Sequence, residues 1–465
     1  MDLPTKSNEN PSQNTLTDTK NPEESENLSE TEMMATTDEV SVNNNSDDND
    51  GSSASAIPDE TNNDTMNEGS DIPESTSGSE MTSNSGSVSD ENNQSGYQVE
   101  NGALVDVKSG RTLASFNGVP IKVKAVYLSG PMAGYNLDHY IDLVNTTKLN
   151  SLVIDIKDEG HVNYETAAEP CHTLKLYKKN YKVDEVLKKC HENGIYVIGR
   201  IVVFRDNPLA KIEPGYAIKR PDGAIWLENK NKDGAWTSPA VEEVLNYNIA
   251  IAKDAVERGF DEIQFDYVRF PTVPKSNPAA YPEDMPDKID VIDNFLKKAN
   301  EEIKSVRQVP VSADVFGIIA ESIPDGKAIG QQLEMLGKEV DYLSPMIYPS
   351  HFANAGTGIM GNGVGQKING VLFTAPDLKP YDVILQSLLR TKDRVAETTE
   401  FRADIRAYLQ DFTASYIGNK NYYQTYGPTQ LRAQIQAVYD AGYEEWILWN
   451  GKNNYSEDGL LPQSE

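Results

Sequence analysis

Short apolar runs alternate with longer amphipathic stretches through the last three quarters of the chain. The runs have the length and β-branched content of buried strands, and the stretches repeat apolar residues at helical spacing. The predicted strands cover residues 122–128, 151–156, 195–204, 262–270, 309–315, 340–348, 404–410 and 444–449. The predicted helices cover residues 137–148, 183–193, 240–258, 286–306, 326–337, 381–395 and 429–440. Eight strands interleaved with helices predict a closed parallel sheet, which is an α/β fold of the (β/α)8 TIM-barrel type.

An open, doubly wound parallel sheet is the main competing fold. It would show fewer strand–helix units, and a dinucleotide-binding version would carry GxGxxG after its first strand. The segment Ser129–Gly134 does not have that pattern. Residues 97–121 contain short strand-like pieces separated by glycines, and we expect them to form a small hairpin over the bottom of the barrel. Residues 122–462 are then the barrel.

The stretch Gly259–Pro271 is the most informative segment of the predicted barrel. It follows a helical stretch and reads as a strand that Pro271 ends, and its polar positions alternate with apolar ones up to Asp266. Barrel enzymes carry their catalytic groups at the C-terminal ends of the strands. Asp266 is therefore a candidate catalytic group, although it could instead cap the next helix or pair with Arg269.

Charge is distributed very unevenly along the chain. Residues 1–100 hold 23 acidic and 2 basic side chains, and no aromatic residue precedes Tyr97. Such a segment cannot bury enough apolar surface to offset its conformational entropy, so residues 1–96 are predicted to be a disordered acidic tether rich in Ser, Asn and Thr. The barrel segment is only mildly acidic. No basic run or patch indicates binding to nucleic acid.

Localisation has conflicting signals in the sequence. No apolar stretch is long enough to span a membrane, and the first residues lack the basic and apolar regions of a secretory signal. A long acidic tether before a folded domain is, however, typical of bacterial proteins attached to the cell surface. We expect an extracellular or cell-surface monomer, tethered to the envelope through its N-terminal segment. Cys171 and Cys190 are the two cysteines, and we expect two separate buried thiols.

The polar and aromatic residues near the strand ends indicate carbohydrate chemistry. Two carboxyl groups can act on a glycosidic bond, while aromatic rings stack on sugars and polar side chains bind hydroxyl groups. The candidate catalytic residues are Asp266, Asp314, Asp158 and Asp411. The candidate substrate-binding residues are Arg200, Arg205, Gln264, Arg269, Tyr348, His351, Arg406, Gln410, Trp449 and Asn450.

Other chemistries have weaker sequence support. The five histidines form no HxH or HExxH pair, and the chain has neither a G-x-S-x-G elbow nor a Walker loop. Asp155 and Asp158 could hold a divalent cation, but the lysine between them is expected to neutralise them. We therefore predict no metal and no cofactor.

Four segments carry a resemblance to a known family. They are residues 259–271, Tyr342–His351, Ile405–Phe412 and Glu445–Asn450. They resemble a bacterial, sequence-defined family of glycoside hydrolase-like TIM barrels, and the similarity covers residues 122–462. The resemblance implies a barrel that hydrolyses O-glycosidic bonds of a poly- or oligosaccharide.

Two more distant resemblances bear on the role of Asp266. The fourth strand of α-amylase-like barrels ends in a nucleophilic aspartate with an arginine two residues earlier. Asp266 matches the aspartate, whereas Gln264 stands in place of the arginine. The strand is also similar to the chitinase D-x-x-D-x-D-x-E strand, but Val268 occupies the position of the catalytic glutamate. These matches argue against a chitinase mechanism and leave an amylase-type role for Asp266 open.

Three functional hypotheses follow from the sequence. The first is a glycoside hydrolase in which Asp266 is nucleophile or base and Asp314 is the second carboxyl group, with Asp158 and Asp411 in reserve. The second is a non-catalytic carbohydrate-binding barrel tethered at the envelope, which the missing arginine and glutamate favour. The third is a metal-assisted hydrolase that uses Asp155 and Asp158.

Overall fold

A computed structural model describes residues 96–228, 234–356 and 361–463. The acidic segment before Gly96, for which the sequence predicts disorder, lies outside the described residues. Eight parallel strands form one closed sheet, and this confirms the predicted (β/α)8 barrel. The strands are β1 Lys124–Leu128, β2 Ser151–Asp158, β3 Tyr196–Val202, β4 Glu262–Asp266, β5 Val311–Phe316, β6 Tyr342–Ile347, β7 Asp404–Ile405 with Ala407–Gln410, and β8 Trp446–Trp449.

The strands pair in chain order around the barrel, with β5 joined to β6 and β8 joined to β1. The main helices are α1 Leu137–Thr146, α2 Val183–Glu192, α3 Glu242–Arg258, α4 Lys288–Val306, α5 Leu333–Glu339, α6 Pro380–Ala396 and α7 Pro428–Asp440. Short helices are Gly130–Tyr135, Cys171–Leu174, Asn207–Ile212 and Ile323–Ile329. No helix in the described ranges is long and apolar enough to cross a membrane.

Two expected elements differ in the structure. The helix expected at 326–337 is two short helices, because Gly330 takes a left-handed conformation at φ +82° and ends the first one. The strand expected to reach Phe270 ends at Asp266. It ends there because Tyr267 has a φ of +50° and its N–H donates to the Asp266 carboxylate at 2.6 Å, which turns the chain out of the sheet.

The core has two parts, which the alternation of side chains along the strands separates. One face of each strand packs against the surrounding helices in a large apolar layer. The opposite face points into the barrel, where residues such as Val153, Ile198 and Ile447 fill the middle. Cys171 and Cys190 are free and buried, as expected.

Residues before β1 close the N-terminal end of the barrel. Tyr97–Glu100 pairs with Ala103–Asp106, and Ser115–Phe116 pairs with Val119–Pro120. Between these hairpins Ala114 is fully buried and belongs to the barrel-interior cluster. Its N–H donates to the Tyr342 hydroxyl at 2.9 Å. We call residues 111–121 the plug, because they cover the barrel at the end away from the strand C-termini.

Candidate active site at the C-terminal rim

The guanidinium group of Arg200 is the centre of the rim. It donates to Asp155 Oδ1 from Nη1 at 2.6 Å and to Asp266 Oδ2 from Nη2 at 2.6 Å and from Nε at 3.1 Å. Asp314 Oδ2 lies 4.0 Å from Nε of the same arginine. One cation therefore faces three carboxyl groups that come from β2, β4 and β5.

Strand register explains why these groups meet. Arg200 on β3 lies beside Asp155 on β2 and Gln264 on β4 in the sheet. Alternate residues of a strand face the barrel interior, so Ile198 and Arg200 point inward one above the other. Position 264 on β4 is a glutamine. Arg200, which lies directly beside Gln264 on β3, therefore provides the guanidinium group that β4 lacks.

Asp314 is almost completely shielded from solvent. Only 1% of its surface is exposed, and its Oδ1 has no hydrogen-bond partner. Burial, together with the charge of Asp266, raises the pKa of Asp314 well above its usual range, although Arg200 opposes the shift. A carboxyl group in this environment favours its protonated form more than an exposed carboxyl group does.

Asp266 sits in a contrasting environment. Its Oδ2 accepts both hydrogen bonds from Arg200, while its Oδ1 accepts the N–H of Tyr267. Hydrogen bonds from a cation and from a backbone amide stabilise the ionised form of a carboxylate. The positive φ of Tyr267 is a strained conformation for a bulky residue, and such strain is concentrated at functional sites.

Aromatic rings line the centre. The Tyr127 and Trp449 rings lie 4.1 Å apart between centroids, and the Arg200 guanidinium lies 5.4 Å and 5.2 Å from those centroids. Tyr348 is buried close to Asp314, whose charge contributes to raising the pKa of its hydroxyl. Met346, Phe412 and Trp449 are only partly buried and pack on the interior cluster. A sugar approaching the carboxyl groups would meet these partly buried side chains first.

Three predicted residues lie on the outer part of the rim. Asp158 is half-buried. Burial raises the pKa of its carboxyl group, and the positive charges of Arg200 and Arg205 partly offset this rise. Arg205 donates from Nε to Glu228 at 3.2 Å and lies over the Tyr267 ring. Arg269 is buried against the rings of Trp236 and Phe316, at 4.8 Å and 4.5 Å from their centroids.

Four more predicted residues hold the rim loops together. Gln410 accepts the Ser350 N–H and donates to Asp377, and both Asp411 oxygens bind Ser456 at 2.7 Å. Asn450 donates to two main-chain carbonyl groups. His351 packs edge-on against Tyr348, and burial lowers its pKa to about 4. The Asp411 side chain therefore holds the segment around Ser456 against the rim.

Gln264 and Arg406 lie below the rim. Gln264 accepts the Tyr408 hydroxyl at 2.6 Å and donates to Ser344, within the middle of the barrel. Arg406 lies at the N-terminal end, where it pairs with Glu262 at 2.8 Å and Glu445 at 2.9 Å. The prediction that Arg406 lies at the rim is therefore wrong. Alternate residues of β7 point into the barrel, and Arg406 comes two residues before Tyr408 and four before Gln410, so its side chain lies deeper than theirs.

Sequence reasoning did not assign a role to Tyr127 and treated Asp155 only as a metal ligand candidate. Both oxygens of Asp155 are occupied, by Arg200 and by the Tyr127 hydroxyl at 2.5 Å. The described residues contain no group of three or more His, Cys, Asp or Glu side chains arranged to hold a metal. The alternation that put Arg200 inward also puts Tyr127 and Asp155 inward, and could have identified both.

Several solved structures resemble the chain. A hypothetical protein from Ruminiclostridium thermocellum is 41% identical, over 41% of this chain and 97% of its own, with a TM-score of 0.38. The glycoside hydrolase domain of PgaB from Bordetella bronchiseptica is 14% identical, over 71% of this chain and 94% of its own, with a TM-score of 0.49. The spore cortex-lytic enzyme SleL from Bacillus cereus is 12% identical, over 75% of this chain and 76% of its own, with a TM-score of 0.41.

Sequence comparison identifies the family. No curated protein sequence matches the chain. A family model described as "Putative glycosyl hydrolase domain" matches residues 125–455, which include all of the barrel except the first residue of β1. This match covers well over half of the chain and agrees with the resemblance found in the sequence. The chain therefore belongs to this family of glycosyl hydrolase-like barrels.

Proposed function

We propose that the protein hydrolyses O-glycosidic bonds of a poly- or oligosaccharide with Asp266 and Asp314. The observation that carries this proposal is that the two carboxyl groups share Arg200 but have opposite environments. Asp266 receives three hydrogen bonds on its carboxylate, whereas Asp314 is buried with one oxygen unpartnered. Pairs of carboxyl groups whose surroundings separate their protonation states in this way supply the acid and the base of glycosidases.

The two environments assign the roles. Asp314, whose protonated form is favoured by burial, acts as the general acid, which protonates the oxygen of the leaving group. Asp266, which accepts three hydrogen bonds from Arg200 and Tyr267, acts on the anomeric carbon, either as the nucleophile or as the base that activates water. The Tyr127 and Trp449 rings form an apolar wall beside Arg200, on which a sugar ring can pack.

The spacing of the two groups suits this chemistry. Arg200 Nε lies 3.1 Å from Asp266 Oδ2 and 4.0 Å from Asp314 Oδ2. The two oxygens are therefore no more than about 7 Å apart, an upper bound that is compatible with the carboxyl separations found in glycosidases. This bound admits both the retaining and the inverting reaction, so the stereochemical outcome is left to experiment.

Burial of the site favours a second candidate function. The side chains of Asp266 and Asp314 are only 7% and 1% exposed, so a substrate can reach them only if rim side chains such as Trp449 or Phe412 move. A barrel that binds carbohydrate on its aromatic rim without cleaving it needs no such movement. In that case Arg200 would neutralise a structural carboxylate cluster.

Product release from a panel of envelope and storage polysaccharides tests the proposal. The parent protein is compared with Asp266→Asn, Asp314→Asn and the control Glu159→Gln, whose carboxylate is exposed on the same rim just after β2. We expect a loss of at least about a hundredfold for both aspartate variants and none for the control. Binding without turnover by all four proteins would favour the carbohydrate-binding barrel, and turnover that survives Asp266→Asn would move the chemistry to another carboxyl group.

The proposed location is outside the cell or at its surface. This part of the proposal is supported by the composition of residues 1–96, which are acidic and rich in Ser, Asn and Thr. Fractionation of cells that produce the chain from its natural gene would test it. Recovery of the protein in the cytoplasmic fraction alone would contradict an envelope tether.

A further inference from the structure

The Tyr127 hydroxyl and the Asp155 carboxylate belong to the centre of the rim, but the proposed reaction gives neither of these groups a role. The Tyr127 hydroxyl donates to Asp155 Oδ2 at 2.5 Å, and Asp155 Oδ1 accepts from Arg200 Nη1 at 2.6 Å. Both side chains are buried, and each comes from a strand that precedes β3. They form a hydrogen-bonded chain that ends on the guanidinium group holding Asp266.

We propose that Asp155 and Tyr127 are positioning residues which hold Arg200 against Asp266, and that protonation of Asp155 releases this hold. The inference rests on the proposed function, because it assigns Asp266 a role in the reaction. It adds a regulatory group to that site: an ionisable carboxyl group that touches neither the substrate nor the reacting atoms.

The geometry of the guanidinium group supports the positioning role. Arg200 uses Nη1 for Asp155 and uses Nε and Nη2 for Asp266, so the two carboxylates share the donors of one planar group. The Tyr127 and Trp449 rings confine the same group, at 5.4 Å and 5.2 Å from their centroids. Loss of the acceptor at Asp155 leaves Nη1 unpaired in a buried site, and the guanidinium group would turn towards another acceptor.

The hydrogen bonds also explain why the charge of Asp155 matters. Each of its oxygens accepts one hydrogen bond, from Arg200 or from the Tyr127 hydroxyl, and a proton on Asp155 removes the negative charge that pairs with Arg200. Burial raises the pKa of Asp155 to about 7, with Arg200 lowering it and Asp158 raising it. The hold on Arg200 is therefore complete above about pH 7 and weakens as the pH falls below that value.

The ionisable and charged groups around Asp155 come from its own strand, the two neighbouring strands and one loop. Tyr127 faces it from β1 and Arg200 from β3, while Asp158 lies on its own strand. The Tyr181 hydroxyl, in the loop before α2, donates to the main-chain oxygen of Asp155 at 3.0 Å. Asp266 on β4 is linked to it only through Arg200.

Kinetics of the variants Asp155→Asn and Tyr127→Phe test the inference on a substrate that the parent hydrolyses. We expect Asp155→Asn to lower kcat about 10- to 100-fold at pH 8 with little change in KM, because it removes a charged partner of Arg200. It should also remove the acidic limb near pH 7 from the rate profile. Tyr127→Phe should lower kcat about tenfold or less and keep that limb, since Asp155 can still ionise.

A matched control separates positioning from general packing. Tyr426 is another buried tyrosine, and its hydroxyl donates to the main-chain oxygen of Asp377 in the loop after β6. Tyr426→Phe removes one buried tyrosine hydroxyl, as Tyr127→Phe does, and should leave kcat and the pH profile unchanged. An Asp155→Asn protein that keeps the acidic limb and the parent kcat would overturn the inference while leaving the proposed hydrolysis intact.

A readout that does not need activity is the nitrogen-15 NMR signal of the Arg200 side chain. In the parent, Nε–H donates to Asp266, so its protection from exchange with water, relative to a free arginine side chain at the same pH, should be high above pH 7 and lower at pH 5.5. Tyr127→Phe and Asp155→Asn should exchange faster at pH 8, unlike Tyr426→Phe. An identical Arg200 signal in all four proteins would overturn the positioning role even if no substrate were known.

Discussion

Arg200 donates two hydrogen bonds to a single oxygen of Asp266, from Nη2 at 2.6 Å and from Nε at 3.1 Å. The arrangement joins β3 to β4 inside the barrel and leaves Nη1 for Asp155. It also places a positive charge 4.0 Å from Asp314. One side chain therefore links folding of the barrel to the charge of the candidate reacting groups.

Replacing Arg200 by methionine should destabilise the barrel strongly. The change leaves Asp155 and Asp266 buried without their cation, and removing one partner of a buried ion pair typically costs about 3–5 kcal/mol. Urea unfolding at pH 7.5 would measure the loss. Arg200→Lys keeps the charge but not the fork of donors, so it should lose less stability while still losing most of the activity. Equal stability of parent and methionine variant would contradict this account.

Replacing Asp314 by asparagine should separate stability from activity. Because folding raises the pKa of Asp314, the folded state holds this proton more tightly than the unfolded chain does. The resulting contribution to stability is complete below about pH 3.9 and is lost as the pH rises through the folded pKa. Asp314→Asn cannot ionise, so its melting temperature at pH 8 should equal or exceed that of the parent.

The comparison for that experiment is Asp266→Asn, which weakens the bonds from Arg200 and should melt earlier than the parent. Both variants should lose hydrolysis. A lower melting temperature for Asp314→Asn at pH 8 and an unchanged one for Asp266→Asn would reverse the roles given to the two environments.

Replacing Arg406 by methionine should affect folding and not substrate affinity. Arg406 pairs with Glu262 and Glu445 at the N-terminal end of the barrel and lies 4.0 Å from the centroid of the Tyr342 ring. Its loss leaves two buried carboxylates unpaired, with an expected cost of about 3–5 kcal/mol in the free energy of unfolding. The folded fraction should keep the KM of the parent, whereas a raised KM at full stability would return Arg406 to the substrate site.

Acid sensitivity should depend in part on His351. Burial lowers the pKa of this imidazole to about 4, and neither ring nitrogen has a hydrogen-bond partner. The unfolded chain therefore binds a proton near pH 6.5 that the folded protein rejects, so stability is lost as the pH falls from about 6.5 to 4. His351→Phe should narrow the difference in urea midpoint between pH 7.5 and pH 4.5. An unchanged difference would mean that other groups govern acid unfolding.

The sequence was sufficient to predict the barrel because the spacing of apolar residues differs clearly between its strands and its helices throughout. Eight apolar runs separated by helical stretches leave few alternatives, and the observed strand bounds agree with the expected ones to within a few residues except at β4. The predicted end of β4 was too late, because the hydrogen bond from the Tyr267 N–H to the Asp266 side chain ends the strand. Such a turn has no signature in a run rich in β-formers.

The candidate site was harder to predict than the fold. Asp266 and Asp314 follow from their position at strand ends, and both lie beside Arg200 in the structure. That Arg200 serves Asp266 depends on the register between β3 and β4, which the sequence does not specify. Arg406 was misplaced because a one-residue strand break before Ala407 obscures how deep each side chain of β7 lies.

The absence of an arginine at position 264 also acquires a different meaning. From the sequence alone, Gln264 weakens the case for an amylase-type aspartate on β4. In the structure Gln264 and Arg200 are neighbours across two strands, so the guanidinium group reaches the aspartate from the side. A motif defined along one strand cannot detect this substitution, because its partner is 64 residues away in the chain.

The plug has a practical consequence for how the protein can be attached to a solid support. Residues 111–121 bind under the barrel through contacts such as Ala114 with Tyr342, at the end farthest from Arg200. The described residues before them, 96–110, therefore lie on the side of the barrel opposite the rim. Immobilising the protein through its N-terminus should present the rim to bulk solution, where even an insoluble polysaccharide particle could reach it.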